Sequence, residues 1–114
     1  MQYAVLFHSE IDEPHFDLLV ETAAGSDLAT WRLPVWPVEF ETDVTRLKDH
    51  RRFYLAYEGE IASHRGRVER VAGGECDVEA GVDSALTIHL RTGGAVGKLE
   101  LRKIVGDNWR ASPV

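Results

Sequence analysis

The chain has 114 residues, enough for one domain with a real core and too few for two; no apolar run approaches the roughly 20 residues of a membrane helix, and no basic stretch leads into a long apolar one at the N-terminus. At 44% hydrophobic and 28% charged residues the composition is that of an ordinary soluble domain, expected in the cytoplasm and off the membrane. The net charge of −6 argues against broad, nonspecific nucleic-acid binding, where neutralised phosphates supply most of the affinity, and the single cysteine, Cys76, excludes an internal disulfide.

Residues 3–7 (YAVLF) form a short apolar, β-rich run. Beyond a six-residue loop, residues 15–21 (HFDLLVE) alternate, with Phe16, Leu18 and Val20 on one side and His15, Asp17, Leu19 and Glu21 on the other. That is a strand period, and pairing the two runs places His8 and His15 on either side of the loop neck. Turn residues at 24–27 (AGSD) lead into residues 28–33 (LATWRL), which read as the second arm of a hairpin. Pro34 and Pro37 then force an extended, irregular passage, flanked by Trp31 and Trp36, two indoles that read as a core lid ahead of a base-stacking platform.

Thr42 or Asp43 is placed to cap a single helical turn over residues 45–48, the one plausible helix in the chain. From Phe53 the pattern is β again as far as Ile61, and residues 67–71 (RVERV) alternate before Gly73-Gly74 marks a turn. Residues 76–80, 86–91, 98–104 and 109–112 supply further short strands, separated by glycine-containing turns. The pattern predicts an all-β fold: a compact barrel of about eight short, mainly antiparallel strands with at most one short helix.

The candidate chemistry is concentrated in two places. His8, His15 and Asp17 are metal-ligand types in one hairpin, and two imidazoles with a carboxylate suffice to hold a first-row divalent ion while leaving positions open for water and substrate. Such an ion polarises a phosphoryl oxygen or lowers the pKa of bound water. Spacing alone also allows the two histidines merely to flank a solvated acidic loop, and it does not choose among Mn²⁺, Zn²⁺ and Fe²⁺. Further on, His50 and Tyr54 are four apart and share a face whether the backbone is a helical turn or a strand. Beside Arg51 or Arg52 they suit the oxygens of a phosphate, with the imidazole able to protonate a leaving oxygen.

Charge supports that placement. Residues 1–59 hold 11 acids and 5 bases and residues 60–114 hold 8 of each, yet the stretch from Arg46 to Arg70 is locally basic. His64 falls in a polar turn at the expected rim of a site. His89, between Ile88 and Leu90, reads as a structural strand residue. A different reading takes His15, Asp17 and His89 as the iron triad of a non-haem oxygenase, with Arg91 holding a cosubstrate. Gly93, Gly94 and Gly97 make no phosphate loop, since no Gly-Lys-Ser/Thr follows.

Taken in order, His8, His15-Phe16-Asp17 with Glu21, Trp31-Arg-Leu-Pro34, Asp49-His50 with Tyr54, and Glu58-Gly59 resemble the 3′-phosphoesterase domain of bacterial DNA ligase D, here as a stand-alone homologue. Any one of these motifs is common; four in this order are not. The resemblance implies a small β-barrel and a manganese-dependent enzyme of DNA repair that removes a 3′-phosphate or terminal ribonucleotide from a DNA or RNA/DNA primer-template. It also implies that His8, His15 and Asp17 bind the metal, with Zn²⁺ as the other candidate, and that His50 and Tyr54 contact the phosphate. A non-catalytic module that binds a nucleic-acid end or a DNA repair protein is the alternative. The family carries an arginine two residues after the metal-binding aspartate, where this chain has Leu19, and a longer N-terminal arm and glycine-rich segment. Arg32, Arg51 or Arg65 would have to supply the missing charge.

Overall fold

Period-two alternation resolves into nine strands: β1 (Gln2–Ser9), β2 (His15–Glu21), β3 (Leu28–Leu33), β4 (Thr42–His50), β5 (Gly59–Glu60), β6 (Arg67–Ala80), β7 (Leu86–Leu90), β8 (Gly97–Val105) and β9 (Asn108–Pro113). The computed structural model describes residues 1–94 and 97–114. Strand order is β1-β2-β3-β4-β9-β8-β7-β6-β5, and an additional β1–β6 pairing closes eight strands into an antiparallel barrel with β5 as an extra strand on β6. The expected fold class holds. Among the described residues the helical content is two 3₁₀ turns, Arg52–Leu55 and Val82–Ser84, and no helix is long and apolar enough to cross a membrane.

An eight-stranded barrel has an interior just wide enough for side chains to fill. Here the alternate residues of each strand do so: Tyr3, Val5, Leu18, Val20, Leu33, Ile88 and Leu101 pack around Trp31 and Trp109, whose rings meet edge to face at 5.6 Å and 71°. Each fully buried aliphatic or aromatic side chain contributes roughly 1.5–3 kcal/mol. Trp36 rests against this core, half-buried, as a lid residue should. Cys76 is buried in it and unpaired, and burial pushes its thiol pKa up to about 11, which makes it an inert filler.

A second, smaller core lies on the outside of the barrel. Leu6, Leu19, Leu28 and Val68 project outward from β1, β2, β3 and β6, and Tyr54, Leu55, Tyr57 and Ile61 lie over them. The segment from Arg51 to Gly66 is therefore an apolar cap on one outer face.

Three local expectations are corrected. Residues 45–48 are not a helical turn but part of β4, because Thr45, Arg46 and Leu47 pair with Arg32, Trp31 and Thr30 of β3, while Thr42–Thr45 pair with Ala111–Asn108 of β9 on the other side; strand pairing outweighs a weak capping signal. Residues 53–61 are not a strand for most of their length: the chain turns through the 3₁₀ segment so that its aromatic residues cover the outer core. Gly73-Gly74 is not a turn but lies inside β6. A Cβ at Gly73 would collide with the Arg70 guanidinium and one at Gly74 with Thr92, so these glycines admit close neighbours without ending the strand.

Candidate metal centre

Register fixes which side chains share the outer face, since direct antiparallel partners point the same way. His8 pairs with His15, and the next row runs Leu6, Asp17, Arg32, Thr45 across β1 to β4. Beyond it come Ala4, Leu19, Thr30 and Leu47, and then Glu21, Leu28 and His50. The metal-ligand types thus occupy the end of the sheet face nearest the loop over residues 10–14, flanked on the β1 and β6 side by Leu6 and Val68 of the outer core, with Leu19 and Leu28 in the rows beyond.

The donor atoms of His8, His15 and Asp17 all lie within 4.8 Å of one another. His8 Nδ1 is 3.8 Å from Asp17 Oδ2, and His15 Nε2 is 3.3 Å from Asp17 Oδ1. The opposite nitrogen of each ring is already committed: His8 Nε2–H donates to the Arg65 carbonyl at 2.7 Å and His15 Nδ1–H to the Glu13 carbonyl at 2.9 Å. These bonds fix both tautomers with the lone pair turned inward, the outer-shell arrangement that metal-ligating histidines favour.

Inside the cluster, His15 Nε2 and Asp17 Oδ1 are buried and have no hydrogen-bond partner, so their approach is close without being aligned. Two facing acceptors in a buried site cost free energy unless a proton or a cation lies between them. The Asp17 carboxylate accordingly holds the His15 pKa above its ordinary value, against the opposing effects of burial and of Arg32. The donor set suits a divalent ion: bonds of about 2.0–2.2 Å require neighbouring donors roughly 3–4 Å apart, so donors spread over as much as 4.8 Å would draw in around it, and it would satisfy the two orphaned atoms together.

The other predicted residues are placed differently. His50 and Tyr54 do meet, rings 5.6 Å apart and inclined at 64°, and with Lys48, Asp49 and Arg51 they line an open groove of about 400 Å³. His50 Nδ1–H donates to the Lys48 carbonyl at 3.1 Å, leaving Nε2 for a ligand. This groove shares the outer face with the metal-ligand cluster but not a cavity. Ordinary strand spacings put the His50 and Asp17 backbones on the order of 15 Å apart, with Leu19 and the cap between them.

Leu19 is fully buried in the outer core. Position 19 in this chain is the floor of the cap, not an open edge of the cluster. Of the arginines, Arg52 binds Glu21 and also donates to the Ser26 carbonyl at 3.2 Å, so it anchors the cap. Arg65 contributes its carbonyl to His8, while its Nε–H donates to the Ala62 carbonyl at 3.0 Å. Arg51 stacks toward Phe53, 5.9 Å from the ring centroid. His64 lines a groove of about 510 Å³ with Glu10, Glu60 and Gly66 at the rim next to His8. His89 is on β7, opposite Asp77 and Lys98 and with β1 and β6 between it and β2; it is not part of the cluster.

No protein-family model and no curated protein matches this chain. The site therefore rests on its own geometry. Sequence reading did not foresee the Glu13 and Arg65 carbonyls, because backbone acceptors leave no mark on residue identity. It named Arg32 only as one substitute among three, although counting the β2–β3 hairpin outward from Glu21 and Leu28 would have set Arg32 opposite Asp17.

Proposed function

We propose that the protein is a divalent-metal-dependent phosphoesterase acting on nucleic-acid 3′ ends, in the manner of the ligase D phosphoesterase domains that its motifs resemble. The observation that carries this reading is the pair of oriented imidazoles whose free nitrogens face a buried, unpartnered carboxylate. Bound there, Mn²⁺ or Zn²⁺ would polarise a phosphoryl oxygen and lower the pKa of a coordinated water.

The chain's own residues would do the rest. His8, His15 and Asp17 hold the ion; the Arg65 and Glu13 carbonyls keep the rings turned toward it. His50, Tyr54 and Arg51 form a separate polar groove suited to phosphate oxygens of the adjoining strand. The overall acidity restricts binding to such local contacts, which suits recognition of an end over coating of a duplex.

The test is phosphate release from a 3′-phosphorylated primer-template by purified protein with Mn²⁺, alongside His15→Ala. Release by the native chain and none by the variant supports the reading. A folded native chain that takes up metal but releases no phosphate overturns it in favour of a non-catalytic end-binding or repair-protein-binding module, the reading that the distance between the metal-ligand cluster and the His50 groove favours.

A further inference from the structure

We infer that Arg32 is the anion anchor of the metal site, so that a phosphate monoester or similar tetrahedral oxyanion sits on the β3–β4 flank of the cluster, between the metal and the guanidinium, and not over Leu19. This rests on the metal reading above. Arg32 is the direct register partner of Asp17, which sets their Cβ atoms about 4.5–5.5 Å apart on one face. It lines, with Glu13, His15, Pro34, Asp43 and Thr45, a groove of about 240 Å³ that opens beside His15.

Its charge is uncommitted. Arg46, Arg52, Arg91, Arg102 and Arg110 each hold a carboxylate, whereas Arg32 is exposed and forms no ion pair among the described residues. Asp43, which lines the same groove, is engaged by Arg110 at 3.1 Å. Thr45, directly across from Arg32, adds a hydroxyl. On the other flank the way is closed, since Leu19 is fully buried beneath Tyr54, Leu55, Tyr57 and Ile61.

The chemistry of the pair follows. A dication held by one carboxylate keeps a single net positive charge, which attracts an oxyanion without orienting it. A guanidinium one strand away supplies two parallel donors to two of the anion's oxygens. Without the metal, Glu13, Asp17 and Asp43 make the same flank acidic, so anion binding there depends on the metal.

The experiment uses the full chain and two probes, inorganic phosphate and a 3′-phosphorylated oligonucleotide, titrated calorimetrically with and without Mn²⁺, after metal affinity has been measured for each variant. Arg32→Ala should bind Mn²⁺ like the native chain and bind both probes at least tenfold more weakly. Arg32→Lys should recover part of the loss, and Arg102→Ala, a charge-matched surface control, should bind both probes as the native chain does. Phosphate binding that is equal with and without metal, or equal in Arg32→Ala and the native chain, overturns the inference while leaving the proposed function standing. A loss confined to the oligonucleotide overturns it too, since Arg32 would then contact the strand and not the terminal group. A native chain that takes up no divalent metal removes the proposed function, and this inference with it.

Discussion

His8 and His15 face each other directly across the β1–β2 ladder, ring centroids 5.0 Å apart at 70°, and each donates its outward N–H to a backbone carbonyl. A cross-strand pair held in this way is preorganised: the entropy of orienting the rings is lost on folding, not on metal uptake. His8→Ala and His15→Ala should each weaken Mn²⁺ or Zn²⁺ binding by more than the roughly 10–100-fold that loss of an outer hydrogen bond costs, while the barrel stays folded because both rings lie outside its core. Metal titration with circular dichroism checks both halves of this expectation. Metal affinity unchanged in His15→Ala would remove the site.

Gly66 is the residue that lets the His8 support exist. It sits at φ +88°, and a Cβ there would stand 2.5 Å from the Ser9 carbonyl oxygen, 2.6 Å from Ile11 Cγ2 and 2.9 Å from His8 Nε2. Gly66→Ala should therefore push the 65–66 backbone off His8, destabilising the fold by about 1–3 kcal/mol and weakening metal binding by roughly 10–100-fold. Gly25→Ala, at φ +76° with open space around it, carries the backbone cost of about 1–2 kcal/mol and leaves metal binding alone. Denaturant unfolding and metal titration of the two variants separate strain from loss of ring support.

Leu19→Arg introduces the arginine that the ligase D phosphoesterase domains carry two residues after their aspartate, and its expected effect is a loss. The side chain would enter a pocket that is fully closed by Leu6, Leu28, Val68 and the cap aromatics, where an unpaired charge has no partner. A destabilisation of about 3–5 kcal/mol is expected, against about 2–5 kcal/mol for Leu19→Ala, with no gain in phosphate binding. An arginine variant that is as stable as the native chain and binds phosphate more tightly would show that the cap opens.

Leu19 also marks where sequence reading stopped being sufficient. Alternation along residues 15–21 correctly set Leu19 beside Asp17 and His15, and the β1–β2 pairing followed from the same pattern, so the cluster was legible. What covers that face was not. Residues 53–61 alternate well enough to read as a strand, yet the β1–β6 pairing closes the barrel without them, and Tyr54, Leu55, Tyr57 and Ile61 instead cover Leu6, Leu19, Leu28 and Val68. The role of residue 19 depends on that cover, which is a long-range contact and leaves no local signature. In the same way Thr45 to Lys48 read as a turn of helix because the strands on either side of β4 are non-local: β3 pairs with Thr45 to Leu47 across the proline passage, and Asn108 to Ala111, which pair with Thr42 to Thr45, lie more than 60 residues away in the chain.

Glu21, in the same outward set as His15 and Asp17, belongs to stability and not to the metal. Its carboxylate accepts from the Gly25 and Gln2 backbone N–H groups, each at 3.0 Å, and from Arg52, tying together the β2–β3 turn, the start of β1 and the cap. The Gly25 bond, with help from Arg52 and Gln2, holds its pKa below the usual 4.5 despite burial. A carboxylate with a depressed pKa in the folded state adds stability that is fully present above the unfolded value and is lost as pH falls through the folded one. Glu21→Gln should then be less stable than the native chain at neutral pH by about 1–3 kcal/mol, with the gap closing at pH values well below 4.5, where the native side chain is itself neutral. Urea unfolding of both proteins at the two pH values measures the gap. A deficit of equal size at both would assign the loss to packing, because only the charged carboxylate can make the contribution depend on pH.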